Sequence, residues 1–184
     1  MKKIVFIGKN NLEEITKATL ATNYEIVEIN AGDLTKTDTF ANLPSDLAML
    51  VSFVGPMDTD LIMEAFFAAV RAQKIKLERI IMVSTAGIDN EVEGTFPYPG
   101  VSDVAEYLRQ QRYAIKVIDE EELPYTIIRP VEMVSKPSGN PMVIEEGNPV
   151  PAGQVSYQTV AATIAEAVNT DRYKNQSIAV LDKE

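Results

Sequence analysis

Tyr107, Gln111, Ser84 and Arg129 are the residues of this 184-residue chain whose types and spacing could do chemistry. Cysteine and histidine are both absent. That removes thiol nucleophiles, disulfides, Cys/His zinc sites and imidazole acid–base catalysis together, and no metal centre is expected. Catalysis is left to tyrosine, serine, threonine, lysine, arginine and carboxylates, or to chemistry that a bound organic group supplies. Tyr107 and Gln111 stand four apart in a long helical pattern and so share a helix side. Gln111 also falls on the apolar stripe of Val104, Leu108, Ile115 and Ile118. A polar side chain on such a stripe needs a partner, either a ligand hydroxyl or a backbone carbonyl. Arg129 could clamp an anionic substrate with two parallel hydrogen bonds, or pair with a structural carboxylate such as Glu132.

The elements that must position these residues are legible as alternating patterns. Short continuous apolar runs predict buried strands over Ile4–Ile7, Glu25–Ile29, Leu47–Val54, Arg79–Ser84, Tyr125–Ile128 and Ser177–Leu181, the fifth stopped by Arg129-Pro130. Helical periodicity predicts helices over Leu12–Thr22, Asp58–Gln73, Ser102–Glu122 and Ser156–Asn169. Asp58 or Thr59 is the expected N-cap of the second helix. Thr85–Gly100 and Val134–Gly153 read as loops, the latter with one short strand at Met142–Ile144. Strands alternating with helices predict one α/β domain over residues 1–184, a doubly wound parallel sheet with helices on both faces. A small substrate-side segment is expected at about residues 131–155. In such a fold the strand tips line the ligand crevice. Those tips are Ser52, Phe53, Val54 and Gly55 on one strand and Ser84, Thr85 and Ala86 on another.

The formal net charge of −10 disfavours direct binding to nucleic acid or to an anionic membrane. No apolar run reaches the roughly 18 residues of a membrane span, and the N-terminal stretch lacks a signal-peptide pattern. A cytoplasmic location is expected. The helices Ser102–Glu122 and Asp58–Gln73 could supply a homodimer face.

The first strand runs into a glycine and a helix follows: "IVFIGKNNLEEI". A helix N-terminus reached through a glycine turn is where the phosphates of a dinucleotide sit. Gly8 is its only glycine, however, and Glu13 and Glu14 follow. Two like charges about 5 Å apart at an effective dielectric of 20 repel by roughly 3 kcal/mol. Lys9 could offset part of this. Alternatively, the two carboxylates simply stabilise the first helical turn.

In order, "GDL" (Gly32–Leu34), "VSTAG" (Val83–Gly87) and, after a long helix, "LPYTIIRP" (Leu123–Pro130) follow that strand. This series resembles the atypical short-chain dehydrogenase/reductase proteins, the NAD(P)-binding, NmrA-like and flavin-reductase-like group, over nearly the whole chain. The resemblance implies a Rossmann-like fold with NAD or NADP as cofactor. It implies a phosphate site at Gly8, Lys9, Asn10, Asn11 and Leu12, with Asn11 and Glu14 standing where the group has its second and third glycines. It places Asp33 and Leu34 beside the adenine, Ser52, Val54, Gly55 and Thr85 along the cofactor, and Pro130 and Val131 near the nicotinamide. Ser84 matches the catalytic-serine region, and Tyr107 and Gln111 match a Tyr-x-x-x-Lys pair whose lysine has been replaced. Without that lysine, Tyr107 would keep a pKa of about 10 and be a weak acid–base group. Arg129 and Met133 are the expected substrate contacts.

Two departures shape the expectation further. Between Tyr24 and Leu34 there is no room for the helix and third strand that the group carries, and no arginine or lysine stands at the end of the second strand. NAD is therefore favoured over NADP, with binding weakened or lost. The first reading is an NAD(P)-binding oxidoreductase-like protein acting on a small carbonyl, quinone or flavin substrate. An alternative is a non-catalytic NmrA-like binding or regulatory protein with a protein partner. A sugar epimerase or dehydratase is disfavoured by the missing lysine and the short C-terminal region.

Overall fold

The computed structural model describes residues 1–20 and 23–183. In chain order the elements are β1 (Lys2–Ile7), α1 (Asn11–Thr19), β2 (Tyr24–Ile29), a 3-10 turn (Thr37–Phe40), β3 (Leu47–Ser52), α2 (Thr59–Ala72), β4 (Arg79–Val83), β5 (Val92–Glu93) and α3 (Val104–Glu120). Then come β6 (Tyr125–Pro130), β7 (Glu132–Val134), β8 (Asn140–Glu145), β9 (Val150–Pro151), β10 (Gln154–Ser156), α4 (Tyr157–Asn169) and β11 (Gln176–Lys183). Seven strands form one sheet in the order β2-β1-β3-β4-β6-β11-β8. All neighbours run parallel except β8, which is antiparallel to β11 and closes one edge.

The apolar runs follow from burial on both faces. Ile4 and Phe6 of β1 point to the layer of α1 and α4, whereas Val5 and Ile7 point to the layer of α2 and α3. The second layer is filled by Phe40, Phe66 and Phe67, stacked edge to face with centroids 5.5 and 5.3 Å apart. Burying each such ring contributes roughly 1.5–3 kcal/mol. α2 and α3, the helices expected to supply a dimer face, pack side by side there and expose Leu61 and Tyr113.

The helices begin where short polar side chains meet free N–H groups. Asn10, Asp103 and Ser156 accept from the third helical N–H of α1, α3 and α4. Asp58 precedes α2 in a left-handed conformation and makes no side-chain cap bond. Of the helix expected over Leu12–Thr22, residues Ala21 and Thr22 lie outside the described residues.

Four expectations need correction. The sheet is not wholly parallel, because β8 is longer than the expected Met142–Ile144 and pairs with β11. The strand expected to stop at Ile128 continues through Arg129 and Pro130. Proline lacks the N–H, but its carbonyl still accepts from Ala86 at 2.9 Å. The segment 85–100 contains β5, which pairs with β9 from the segment 134–153, so the two expected loops tie each other down. β7 and β10 form a further two-stranded ladder. The expected loss of one strand is seen as an edge: β2 is the outermost strand beside β1. No described helix is long and apolar enough to cross a membrane.

Candidate active site

Gly8 makes the turn from β1 into α1. Its φ is +94°, and a Cβ there would lie 3.0 Å from the backbone of Phe53 and Val54. Only glycine fits both the left-handed backbone and that close approach. Asn10 then fixes the turn twice: its carboxamide oxygen accepts from Glu13 N–H at 2.9 Å, and its nitrogen donates to the Phe53 carbonyl at 3.1 Å. Gly8, Asn10, Phe53 and Val54 are thus brought together at the carboxyl ends of β1 and β3. As the first two residues of α1, Asn11 and Leu12 have N–H groups with no acceptor within the helix, the kind of donors that suit an anion. These residues fit a dinucleotide phosphate through the backbone.

The two carboxylates have opposite fates. Glu14, expected to press on the phosphates or push the helix away, is exposed. The helix phase turns Leu12, Glu13 and Thr16 inward instead. Glu13 is 1% exposed and one of its oxygens has no partner. Burial, and then the neighbouring Glu28 carboxylate, raise its pKa above the usual carboxylate range. Glu28 on β2 is held ionised by Lys17 at 2.8 Å, and Lys9 adds to that effect. Glu28 and the burial of Glu13 escaped the sequence reading; the spacing of Glu28, twenty residues after Gly8, was the available signal. Asp33 caps its own turn, accepting from Thr35 N–H at 3.0 Å and from the Thr35 hydroxyl at 2.6 Å, while Leu34 packs against the α2–α3 layer. Ser52 and Val54 are buried, and Gly55 takes a φ of +146°.

On the other side of the crevice lies a cavity of about 220 Å³. It brings together Ser84, Thr85, Tyr107, Pro130, Val131 and Met133 of the expected residues. The aromatic walls were not foreseen. Phe96 and Tyr98 stack at 4.8 Å, Tyr98 meets Tyr107 edge to face at 5.6 Å, and Tyr157 lines the remaining side. The signal was the stretch "FPYPG" inside a region that reads as plain loop. Tyr98 anchors this loop by donating to the Ala86 carbonyl at 3.1 Å. A Cβ on Gly87, whose φ is +93°, would collide with the Tyr98 hydroxyl.

Burial pushes the Tyr107 phenol up to about 12, with the Thr85 hydroxyl pulling the other way. It is therefore neutral throughout the physiological range and presents a proton, not a base, rather than keeping a pKa of about 10. Gln111 is buried as expected, and within the chain its partners are side-chain hydroxyls and not a backbone carbonyl. Its carboxamide bridges two hydroxyls, Ser84 at 2.9 Å and Thr59 at 3.0 Å, and so ties α3 to the tip of β4 and the start of α2. Arg129 does not line the cavity. It is 1% exposed and forms a salt bridge with Glu91 rather than with Glu132. Glu91 is fixed in turn by the N–H groups of Gly87 at 3.0 Å and Asp89 at 2.9 Å. An arginine so engaged holds the loop and not a substrate anion.

Residues 11–171 match the protein-family model described as NAD(P)H-binding. No curated protein matches the sequence. Among solved structures, the wide-type short-chain dehydrogenase/reductase of Veillonella parvula in complex with NADP is 19% identical, with 97% of this chain and 94% of that chain covered at a TM-score of 0.75. A Rossmann-fold NAD(P)-binding family protein of Shigella flexneri is also 19% identical, over 99% and 94% of the two chains, with a TM-score of 0.75. ChuY, an anaerobillin reductase of Escherichia coli, is 16% identical over 100% and 98%, again at 0.75. At these identities the likeness is one of fold.

Proposed function

The chain belongs to the NAD(P)H-binding family, and from that premise we propose that it is a reductase for a small conjugated carbonyl, quinone or flavin, using NADH in preference to NADPH. The observation that carries this reading is the aromatic cavity beside Ser84 and Thr85, at the strand ends where the family's cofactor crevice opens. When bound, the reduced dinucleotide supplies the hydride, and a proton from solvent completes the two-electron reduction.

The chain's own residues do the rest. The Gly8 turn and the Asn11 and Leu12 N–H groups hold phosphate, while Asn10 keeps the turn rigid. Pro130 and Val131 form an apolar floor, and Phe96, Tyr98 and Tyr157 keep water away from a flat ring. Tyr107, neutral and half-buried, donates a hydrogen bond to the acceptor oxygen as negative charge develops there. Gln111 positions Ser84 and does not touch the acceptor. The preference for NADH rests on Glu28, whose carboxylate stays ionised at the sheet edge and would repel a ribose phosphate, and on Asn30, which offers no cation there.

Calorimetric titration with NADH and NADPH, followed by NADH oxidation with naphthoquinone, tests the reading. Micromolar binding of NADH, weaker binding of NADPH and quinone-dependent turnover are expected. No binding of either dinucleotide at millimolar concentration overturns it.

A further inference from the structure

The acceptor cavity has a charge asymmetry that hydride transfer alone does not require. Among the described residues, Glu132 is the only one lining it with a formal charge at neutral pH, and neither lysine nor arginine lines it. The neighbouring cation, Arg129, is buried in its salt bridge with Glu91. Freeing it to meet an anion would break this largely buried ion pair, which is costly. Glu132 opens β7 beside Gln154 of β10, whose amide donates to it at 3.0 Å. An amide partner leaves the carboxylate's charge in place. Phe96 and Met133 give an anion no compensation, the Tyr98 hydroxyl is already bonded to the Ala86 carbonyl, and the net charge of −10 adds repulsion at longer range.

Resting on the reductase reading, we propose that this pocket selects its acceptor by charge: it takes uncharged or cationic conjugated rings, and Glu132 is the residue that turns anionic ones away. Riboflavin and FMN make a clean pair of probes, because they share one ring and differ by a phosphate ester. Their binding is read by quenching of flavin fluorescence with NAD⁺ present to fill the dinucleotide site. NAD⁺ binding is followed separately by calorimetry, so a failure of the reductase reading shows there and not in the flavin ratio.

Riboflavin is expected to bind about tenfold more tightly than FMN at low salt, with the ratio shrinking as salt rises. Glu132→Gln narrows the ratio and Glu132→Lys inverts it. Equal affinity for the two flavins, a ratio that neither substitution moves, or no binding of either flavin overturns the proposal.

Discussion

The two ends of the crevice are built on different principles. On the β1–α1 side the backbone makes the site: a glycine turn, a helix N-terminus and one asparagine that pins both. On the β4–β6 side the side chains make it: two packed aromatic rings, a neutral tyrosine that meets one of them edge to face, and a glutamine that holds the neighbouring serine. A backbone site tolerates changes of side chain. That is why Asn11 and Glu14 can stand where relatives are expected to have glycine while the turn survives. A side-chain site does not have that freedom, and its parts are fixed by contacts from far along the chain.

The difference can be broken first at Tyr107. Tyr107→Phe removes the donor without changing the shape, so kcat should fall on the order of 100-fold with the NADH Kd unchanged. Because burial pushes this phenol up to about 12, its proton stays in place across the neutral and mildly alkaline range. The rate should therefore show no loss assignable to Tyr107 below about pH 10. A fall centred near neutrality that vanishes in the phenylalanine variant would contradict this. On the backbone side, Gly8→Ala forces alanine to a φ of +94° and against Phe53 and Val54. It should cost about 2 kcal/mol, or roughly 5 °C in Tm, and weaken dinucleotide binding as well. An unchanged melting temperature would argue against the turn.

Glu13 sharpens the contrast through pH. Its pKa is raised in the folded protein, so the stability that goes with its neutral form is present in acid and is lost as pH rises through that raised value. Glu13→Gln keeps the neutral form at every pH. It should raise Tm by on the order of 2 °C near pH 8 and leave it unchanged near pH 4. The smallest effect is expected at the neighbouring position. Glu14→Ala should shift stability by less than about 0.5 kcal/mol, because that side chain is in solvent. Calorimetric titration should show the NADH Kd within about twofold of wild type.

What the sequence disclosed and what it hid follow the same division. Buried strands such as Ile4–Ile7 and the Ile80–Val83 stretch of β4 announce themselves because both faces are covered, which leaves no polar position within the run. The absent third strand is legible as a chain too short to hold it. The tips of β4 and β6 follow from those strands, and they bring Ser84, Thr85, Pro130 and Val131 into one cavity. Glu13 and Glu14 were hard to tell apart because adjacent helical residues differ by about 100° in direction, so the inward one depends on the helix's packing. Arg129–Glu91 and Gln111–Thr59 join residues 38 and 52 positions apart. No local pattern marks such pairs. β5 and β9 have two residues each and exist only through each other.

The shortened sheet has one more consequence. Ending at β2 leaves a strand with an open flank, the kind of surface on which another chain can polymerise. Glu25 is exposed on that strand, and Glu28 is bonded to Lys17 across to α1. A second copy docking there would bring its own pair of acids against these. At the opposite margin, Pro141 removes a hydrogen-bond donor from β8 and Glu145 adds a charge. Among the described residues, both margins of the sheet thus carry acids or a proline, side chains that disfavour pairing with a further strand.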